Sequence, residues 1–295
     1  MDWDKLKTFH SVAQAGSFTL AAKRLNLSQS ALSRQIKSLE DSLNLSLFTR
    51  HARGLVLTEE GKQLYNTAED VVKKIDHTRQ ELLDSKKKPF GKLKVTTTHA
   101  FGSYWLSRNI KEFVYDFPDI ELELVLSDEA LDLAKGQADV AIRFQTPTHA
   151  DLIVRPLITV HHHIYASPTY IEKCGVPQTI EDLKHHNLIA FGTTISPPIK
   201  EFDWLLSTGI PKLKPVVEIS SLFGILSALK SGIGIASIPD YLAKSSPELV
   251  RILGEVESPS FKSYFVYPRE MKRSKRVSVF KDFIIKKILA AAGTF

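Results

Sequence analysis

Five polar residues recur on one face of a predicted helix near the N-terminus, and their types suit contact with DNA. Glutamine can form a bidentate pair with adenine and arginine with guanine, while serines allow close approach in the major groove. A lysine one turn further along suits a phosphate group, a contact that positions a protein without reading the base sequence. These candidate DNA-contacting residues are Gln29, Ser30, Ser33, Arg34 and Lys37.

Three short helices are predicted to carry this polar face. Gly16 ends the first apolar pattern, and Ser17 and Ser28 are suited to cap the second and third helices. The third helix has apolar residues at helical spacing on its other side, which turns the polar residues outward. These apolar residues are Leu32, Ile36, Leu39 and Leu43.

A β-hairpin is predicted to follow, because apolar segments flank a basic turn within residues 47–57. Two short helices joined by a tight turn, with such a hairpin after them, are typical of a winged helix-turn-helix. The alternative is a small helical domain whose polar faces are simply solvated. The hairpin adds three candidates for phosphate contact, Arg50, His51 and Arg53.

Composition supports DNA binding only weakly. The net charge is +6, but residues 269–287 contain eight basic and two acidic residues, which alone equals that excess. Residues 1–60 contain eight basic and six acidic residues. The 295 residues suit two or three domains. No apolar run suits a membrane span, no secretory signal is recognisable, and the single cysteine, Cys174, excludes an intrachain disulfide, so we expect a cytoplasmic protein.

A long helix is predicted over residues 58–88, with Thr58 as its cap and Pro89 after its end. Six of its residues are spaced alternately four and three apart, which is the heptad spacing of a helix that pairs with another helix. We therefore expect a homodimer formed through this linker helix. The heptad positions are Leu64, Ala68, Val71, Ile75, Thr78 and Leu82.

From Gly91 onward, predicted strands alternate with predicted helices. This alternation indicates parallel sheets, with ligand crevices at the carboxyl ends of the strands. A basic final helix would pack an apolar stripe inward, although its basic face could instead contact DNA in an oligomer. The expected strands are 93–97, 120–126, 139–143, 164–167, 188–191, 216–219, 249–253 and 263–267, and the expected helices are 101–117, 130–135, 168–173, 222–231, 240–243 and 274–290.

Several segments, which together span most of the chain, closely resemble the LysR-type transcriptional regulators. The resemblance implies a winged helix-turn-helix, a dimerising linker helix and a periplasmic-binding-protein-like effector domain of two Rossmann-like subdomains. It further implies a tetramer that bends DNA and responds to a small-molecule co-inducer. The segments are 9–40, 47–50, 57–61, 126–143, 166–170, 177–183 and 232–239.

Carried over by position, the resemblance divides the chain into three parts and places an effector cleft within the last. The DNA-binding domain is expected at 1–60, the linker helix at 58–88 and the effector domain at 91–295. Subdomain I of the effector domain comprises 91–162 and 268–295, and subdomain II comprises 163–267.

The expected cleft contains residues that follow strand ends. Thr97 and Thr98 would offer hydroxyl groups beside a helix start whose N–H groups attract an anion, or Thr98 would simply cap that helix. Phenylalanines would form an apolar wall, which favours an organic, aromatic acid as co-inducer, although they also suit ordinary core packing. The other candidates for effector contact are Phe144, Gln145, Phe191, Ser196, Ser221 and Phe223.

The run His161–His163 invites a metal site, but alternate residues of a strand face opposite ways and no matching ligands lie nearby, so a strand or hinge is favoured. Cys174 is more simply a passive thiol than a redox sensor. No enzyme motif is recognisable, and neither a metal nor a cofactor is expected. A solute-binding protein and an architectural DNA protein are the competing functions.

The sequence therefore predicts an operator-binding transcriptional regulator controlled by a small-molecule effector bound between two subdomains. The alternatives are weaker, because a solute-binding protein needs no helix-turn-helix and an architectural protein needs no ligand domain. The identity of the effector is left open, as is contact with RNA polymerase.

Overall fold

The structure, a computed structural model, describes two compact units, Met1–Ser85 and Lys86–Phe295. Each unit is treated separately. The described residues are 2–51, 54–84, 88–147, 149–192, 202–211, 213–291 and 295, without the side chains of 50, 51, 54, 73, 76, 77 and 79–84.

Three capped helices open the first unit. The helices are α1 (Trp3–Ala15), α2 (Phe18–Leu25) and α3 (Gln29–Leu43). The side chain of Ser17 accepts the N–H of Leu20, and that of Ser28 accepts the N–H of Ala31 at 3.2 Å. These bonds satisfy N–H groups that a helix start leaves without partners. Gly16 ends α1 in the left-handed conformation, so the predicted helix limits are confirmed.

The core of the first unit is the apolar face that the sequence predicts. Leu32, Ile36 and Leu39 of α3 are buried, and they pack with residues of α1, α2 and the hairpin. Since α3 buries one face, its other face is left to solvent. The remaining buried members of this cluster are Leu6, Phe9, Val12, Ala21, Leu47 and Ala68.

The predicted hairpin and long helix are both present. Strands β1 (Phe48–His51) and β2 (Gly54–Leu57) pair antiparallel, and α4 spans Glu59–Asp84. Glu40 accepts the N–H groups of Leu47, at 2.7 Å, and Phe48, at 3.3 Å, which fixes the start of the hairpin to α3. The Thr58 hydroxyl accepts the N–H of Gly61 at 2.9 Å, as expected of a cap.

The second unit is built on a seven-stranded sheet in the order β10-β6-β11-β5-β3-β4, with β9 also paired to β6. Strand β3 is parallel to β4 and β5, and β7 is parallel to β8, as predicted. The long strand β6 runs antiparallel to β9, β10 and β11, so the sheet is mixed rather than wholly parallel. The strands are β3 (Gly91–Thr97), β4 (Ile120–Leu126), β5 (Val140–Arg143), β6 (Leu152–Ala166), β7 (Leu188–Ala190), β8 (Pro215–Glu218), β9 (Ala236–Pro239), β10 (Val250–Ile252) and β11 (Ser260–Pro268).

Helices and turns connect these strands. One hydrophobic cluster extends through the unit, from Leu93 and Phe113 to Ile225 and Ile238. The helices are α5 (His99–Phe101), a π-helical turn (Gly102–Leu106), α6 (Ser107–Asn109), α7 (Lys111–Asp116), α8 (Pro168–Cys174), α9 (Leu222–Lys230), α10 (Asp240–Ala243) and α11 (Lys275–Ala290), with 3₁₀ turns at Ile180–His185, Trp204–Ser207 and Arg269–Arg273.

Two predicted helices differ from the observed ones. The helix expected at 101–117 is interrupted by the π-helical turn, within which the Ser107 hydroxyl donates to the carbonyl of Gly102 at 2.8 Å. The helix expected at 130–135 is a set of turns. The Gln137 side chain accepts the N–H of Asp132, and Gly136 adopts a φ of 63°, so local bonds replace a helical ladder.

The final helix packs as predicted, with Val277, Phe280, Ile284 and Ile288 buried. Arg276 is an exception to the solvated basic face expected of this helix. Its side chain is buried and lies 3.8 Å from a carboxylate oxygen of Asp139.

We predict that Gly61→Ala destabilises the first unit by about 2 kcal/mol or more, the scale of a steric change in a packed core. A β-carbon on Gly61 would lie 2.1 Å from the Leu47 carbonyl oxygen, and the backbone there is fixed by the hairpin. Denaturant unfolding measures the loss. Gln63→Ala, an exposed change on the next turn of α4, is the control and should leave stability nearly unchanged. Equal stability of the two variants would contradict the close approach.

Candidate DNA-binding surface and ligand cleft

The polar face of α3 is open to solvent. Gln29, Ser30, Arg34 and Lys37 are exposed, and Ser33 is half-buried. Arg34 makes no hydrogen bond or ion pair within the described part of the first unit, whereas the Ser30 hydroxyl lies 3.1 Å from the Ser28 hydroxyl. The face therefore presents one long cation, one amide and small hydroxyls, which are the groups that read base edges.

Neighbouring elements hold α3 in place without using that face. The Thr8 hydroxyl of α1 donates to the Gln35 side chain at 2.6 Å, and Lys5 donates to the Ser38 hydroxyl at 2.8 Å. The contacts of α3 with the rest of the unit are thus made on its inner and lateral sides.

The structure describes the three candidate DNA-contacting residues of the hairpin only in part. Arg50 and His51 lie on β1, where they pair with Leu55 and Gly54 of β2, but their side chains are outside the described set. Arg53 lies outside the described residues altogether.

In the second unit, the ends of five strands converge on one cleft. Because β3, β4 and β5 are parallel neighbours, their carboxyl ends lie at the same edge of the sheet. The residues that follow them are Thr98 and His99, Ser127 to Glu129, and Phe144. Strands β7 and β8 are likewise parallel, and Phe191 and Ser220 follow them. Ligand crevices in α/β proteins lie at such carboxyl ends.

The outer part of the cleft is an open depression of about 440 Å³. The segments after β3 and β4 contribute polar groups. Helix α9 contributes the aromatic ring of Phe223, which stacks on Tyr104 with ring centroids 4.9 Å apart. The volume suits a small organic molecule. The lining residues are His99, Ala100, Ser127, Asp128, Glu129, Phe191, Ser220, Ser221, Leu222 and Phe223.

Arg143 fixes the acidic turn on one side of this depression. Its guanidinium donates to the carbonyl oxygens of Ser127, at 2.6 Å, and Glu129, at 3.0 Å, and to the Thr96 hydroxyl at 2.9 Å. Burial lowers the pKa of Arg143, and the charge of Asp128 opposes that shift. The guanidinium is thus a positioning group behind the turn.

The helix start after Thr98 is occupied by a side chain of the protein. An oxygen of Asp128 accepts the N–H of His99 at 3.0 Å. The predicted cap by Thr98 is wrong, because its side chain makes no capping bond there. The carboxylate of Asp128 takes the role that the sequence suggested for a bound anion, since the free N–H groups of a helix start favour negative charge.

Behind the depression lies a small chamber of about 20 Å³. It shares Leu222 with the depression, and His162 of β6 is one of its polar lining residues. His162 is 1% exposed, and its Nδ1 has no hydrogen-bond partner among the described residues. The lining residues are Thr98, Phe144, Val160, His162, Phe202, Leu222, Pro239 and Tyr241.

The protonation of His162 is set by its surroundings. The rings of Phe202 and Phe261 meet it edge-on at 5.1 and 4.8 Å. Burial lowers its pKa to about 3, and the neighbouring His163 and His161 add to the shift. The imidazole is therefore neutral near neutral pH.

Five of the predicted effector residues line the depression or the chamber. Phe191, Ser221 and Phe223 line the depression, and Thr98 and Phe144 line the chamber. Thr97 was wrongly expected to face a ligand, because it is fully buried and its hydroxyl donates to the carbonyl of Ile142.

The remaining two candidates are Gln145 and Ser196. Gln145 is exposed and lines neither space, and Ser196 lies outside the described residues.

Sequence reasoning missed other residues that line the depression and the chamber. A polar turn directly after β4 was the available signal for Asp128 and Glu129, while nothing local marks Phe202 or Tyr241.

The histidine run forms a strand, as expected. The rings of His161 and His163 lie on one side of β6 at 6.2 Å, and His162 faces the other. His163 bonds Asp240 at 2.7 Å. Within the described residues, no group of three or more His, Cys, Asp and Glu side chains could hold a metal ion. Cys174 is exposed at the end of α8.

No helix within the described ranges combines the length and apolarity that crossing a bilayer requires.

Comparison with known proteins identifies the family. The LysR substrate binding domain matches residues 86–288, and the bacterial regulatory helix-turn-helix protein, lysR family, matches residues 3–62. An uncharacterized HTH-type transcriptional regulator of Haemophilus influenzae is 30% identical over 275 residues, 90% of this chain and 94% of that protein. The HTH-type transcriptional regulator CrgA of Neisseria meningitidis is 30% identical over 290 residues, 97% of this chain and 96% of CrgA.

Solved structures agree with this assignment. The structure of CrgA matches with a TM-score of 0.59 and 27% identity, covering 98% of this chain and 99% of that one. Full-length CbnR in complex with its target DNA matches in fold, with a TM-score of 0.65 and 20% identity over 99% of this chain and 100% of that one. The chain combines a helix-turn-helix with an α/β ligand-domain fold and belongs to the LysR family of transcriptional regulators. It is a regulator and not an enzyme.

We predict that His162 makes the stability of the second unit depend on pH. The unfolded chain takes up a proton at His162 below a pH of about 6.5, whereas the folded state resists it until about pH 3. The free energy of unfolding should therefore decrease as the pH falls through this window, by about 2 kcal/mol at pH 5 relative to neutral pH.

Denaturant unfolding of the wild type and of His162→Phe across this pH range measures the contribution. The variant should lose that part of the pH dependence, and His161→Phe, an exposed neighbour on the same strand, should keep it. An unchanged pH dependence in His162→Phe would refute a neutral buried imidazole.

Proposed function

We propose that this protein binds a specific DNA operator through α3 and that a small molecule bound in the cleft of the second unit controls this binding. The observation that carries the first part is the exposed polar face of α3, opposite its buried apolar face. A helix of this kind can lie in the major groove while its flanks are held by the rest of the domain.

Each polar residue has a proposed role. Gln29 and Arg34 contact base edges, since their amide and guanidinium groups match adenine and guanine. Ser30 and Ser33 allow close approach. The phosphates are bound by Lys37, Arg50, His51 and Arg53, which lie on the helix flank or in the hairpin sequence.

The effector site is the cleft at the strand ends. Its support is the convergence of the segments after β3, β4, β7 and β8 on one depression of about 440 Å³. A ligand that contacts both sides of this depression changes the angle between the two subdomains, and through it the spacing of paired DNA-binding domains and the bend of the DNA. We propose that the domain limits are those expected from the sequence.

The protein acts as a homodimer joined through α4 and as a tetramer on DNA. Leu64 and Ala68 of the heptad pack in the core of the first unit. The support is therefore the later part of the heptad, where Ile75 is exposed in the single chain although it is apolar. The helix-turn-helix matches a family of bacterial regulators, whose proposed operator is genomic DNA. We therefore place the action of this protein in the cytoplasm.

We predict that Arg34→Ala weakens binding to the operator by about 5- to 150-fold, which is the range for one bidentate base contact. Footprinting over the DNA upstream of the protein's own gene identifies the operator, and titration on that fragment measures affinity. Lys7→Ala removes an equal charge from an exposed position on α1 and is the control. A footprint in Arg34→Ala that matches the wild type would exclude this contact.

We predict that Ile75→Asp separates the dimer, because a charge at a heptad position opposes burial against the partner helix. Sedimentation of the full-length chain measures the assembly state. Asn66→Asp places the same charge on an exposed position of α4 outside the heptad seam and should leave the dimer intact. A dimer that persists in Ile75→Asp would contradict pairing through α4.

A further inference from the structure

Glu40 is an acidic residue on the helix that is proposed to contact DNA. It follows Lys37 by about one helical turn, and both residues line an open groove of about 540 Å³ between α3 and the hairpin. Ser33, another proposed DNA contact, lines the same groove. A carboxylate beside residues that bind phosphates weakens DNA binding through its charge, so any favourable role of Glu40 must come from its hydrogen bonds.

One carboxylate oxygen of Glu40 holds the base of the hairpin. Its Oε1 atom accepts the N–H of Leu47 at 2.7 Å and the N–H of Phe48 at 3.3 Å. Hydrogen bonds to an ionised acceptor are stronger than those between neutral groups. Since Phe48 is the first residue of β1, these two bonds fix where the hairpin begins relative to α3.

The same short segment is held from its other side by the residue that caps α4. The Thr58 N–H donates to the Leu47 carbonyl at 3.1 Å, and the Thr58 hydroxyl donates to the Ser46 carbonyl at 2.8 Å. Thr58 directly follows β2, whose last residue, Leu57, pairs with Phe48. The base of the hairpin is therefore bonded to α3 through its N–H groups and to the start of α4 through its carbonyl groups.

The hairpin is too small to keep this orientation by itself. Strands β1 and β2 have four residues each, and an isolated two-stranded hairpin is only marginally stable in water. The ring of Phe48 packs against Phe9 and Phe18, with centroids 5.3 and 6.0 Å apart. Apolar contacts of this kind keep the hairpin on the domain, whereas hydrogen bonds depend on direction, so the bonds to Glu40 set its angle.

We propose that Glu40 is a positioning residue for DNA binding. Through Leu47 and Phe48, its Oε1 atom sets the hairpin at the angle to α3 at which both elements contact one DNA site. This inference rests on the proposed function, in which α3 contacts base edges and Arg50 of the hairpin contacts a phosphate. The required feature of Glu40 is its acceptor oxygen and not its negative charge.

Two neutral substitutions separate the oxygen from the charge. Glu40→Gln keeps a carbonyl oxygen at the end of a side chain of the same length, whereas Glu40→Met has a similar size and only a weak thioether acceptor. In titrations of the operator fragment, Glu40→Gln should bind at least as tightly as the wild type. Glu40→Met should bind about tenfold more weakly at about 0.1 M salt, the effect of one lost phosphate contact.

Asp41→Asn is the matched control for the loss of charge. Asp41 is exposed and lines the same groove, so this variant removes a neighbouring negative charge without touching the bonds to the hairpin. It should not weaken operator binding.

The salt dependence of binding distinguishes positioning from a loss of folded protein. The logarithm of the affinity falls against the logarithm of the salt concentration by about 0.9 for each phosphate contacted, so Glu40→Met should reduce this slope by about 1–2. Partial unfolding lowers the amount of active protein and does not change the number of phosphates contacted. Glu40→Gln should keep the wild-type slope.

Glu40→Asp is a second variant that keeps the charge and shortens the side chain by one methylene. It should reduce both the affinity and the slope, and its comparison with Glu40→Gln decides the matter if thermal unfolding shows that Glu40→Met is not folded. Equal affinities of Glu40→Gln and folded Glu40→Met, weaker binding by Glu40→Gln than by Glu40→Asp, or a loss of affinity with an unchanged slope each overturns the positioning role.

The wild-type footprint separates this inference from the proposed function. A specific footprint that the Glu40 variants all retain at wild-type affinity would keep the regulator and reject the positioning role. Absence of any specific footprint by the wild type would reject the proposed DNA-binding function itself.

Discussion

The second unit depends on one constraint, the continuity of strand β6 from Leu152 to Ala166. Its first part pairs with β11, and its last part pairs with β9 and β10, so its backbone groups find partners on neighbouring strands at both ends. Because side chains alternate along a strand, this pairing also directs His162 inward and leaves His161 and His163 on the opposite side. The chamber exists where β6 passes behind the ends of the parallel strands.

Charged groups at one side of the cleft are compensated within the protein. Asp128 satisfies the helix start after β3, and Arg143 holds the carbonyls of the turn that carries Asp128. Each of these charged groups already has an opposite charge or a dipole beside it. The buried imidazole of His162 is neutral and lies next to aromatic rings.

The first unit follows closely from local sequence signals. Ser17, Ser28 and Thr58 cap the helices at which they were expected, and Leu32, Ile36 and Leu39 form the buried face of α3. These outcomes were predictable because caps and helical periodicity act over three or four residues. The second unit was less predictable: the helix expected at 101–117 contains a π-helical turn, and the helix expected at 130–135 is replaced by turns held by Gln137.

The sequence by itself determined the family, the elements of the first unit, the exposed face of α3 and the apolar face of α11, because each depends on residue types at short spacing. Only the tertiary structure decided which residues share a wall of the cleft. Thr97 and Thr98 are adjacent, yet one hydroxyl bonds Ile142 and the other residue lines the chamber. His162 meets Phe202 across 40 positions of sequence. Contacts of this kind depend on how strands pair over long distances, and no local pattern encodes them.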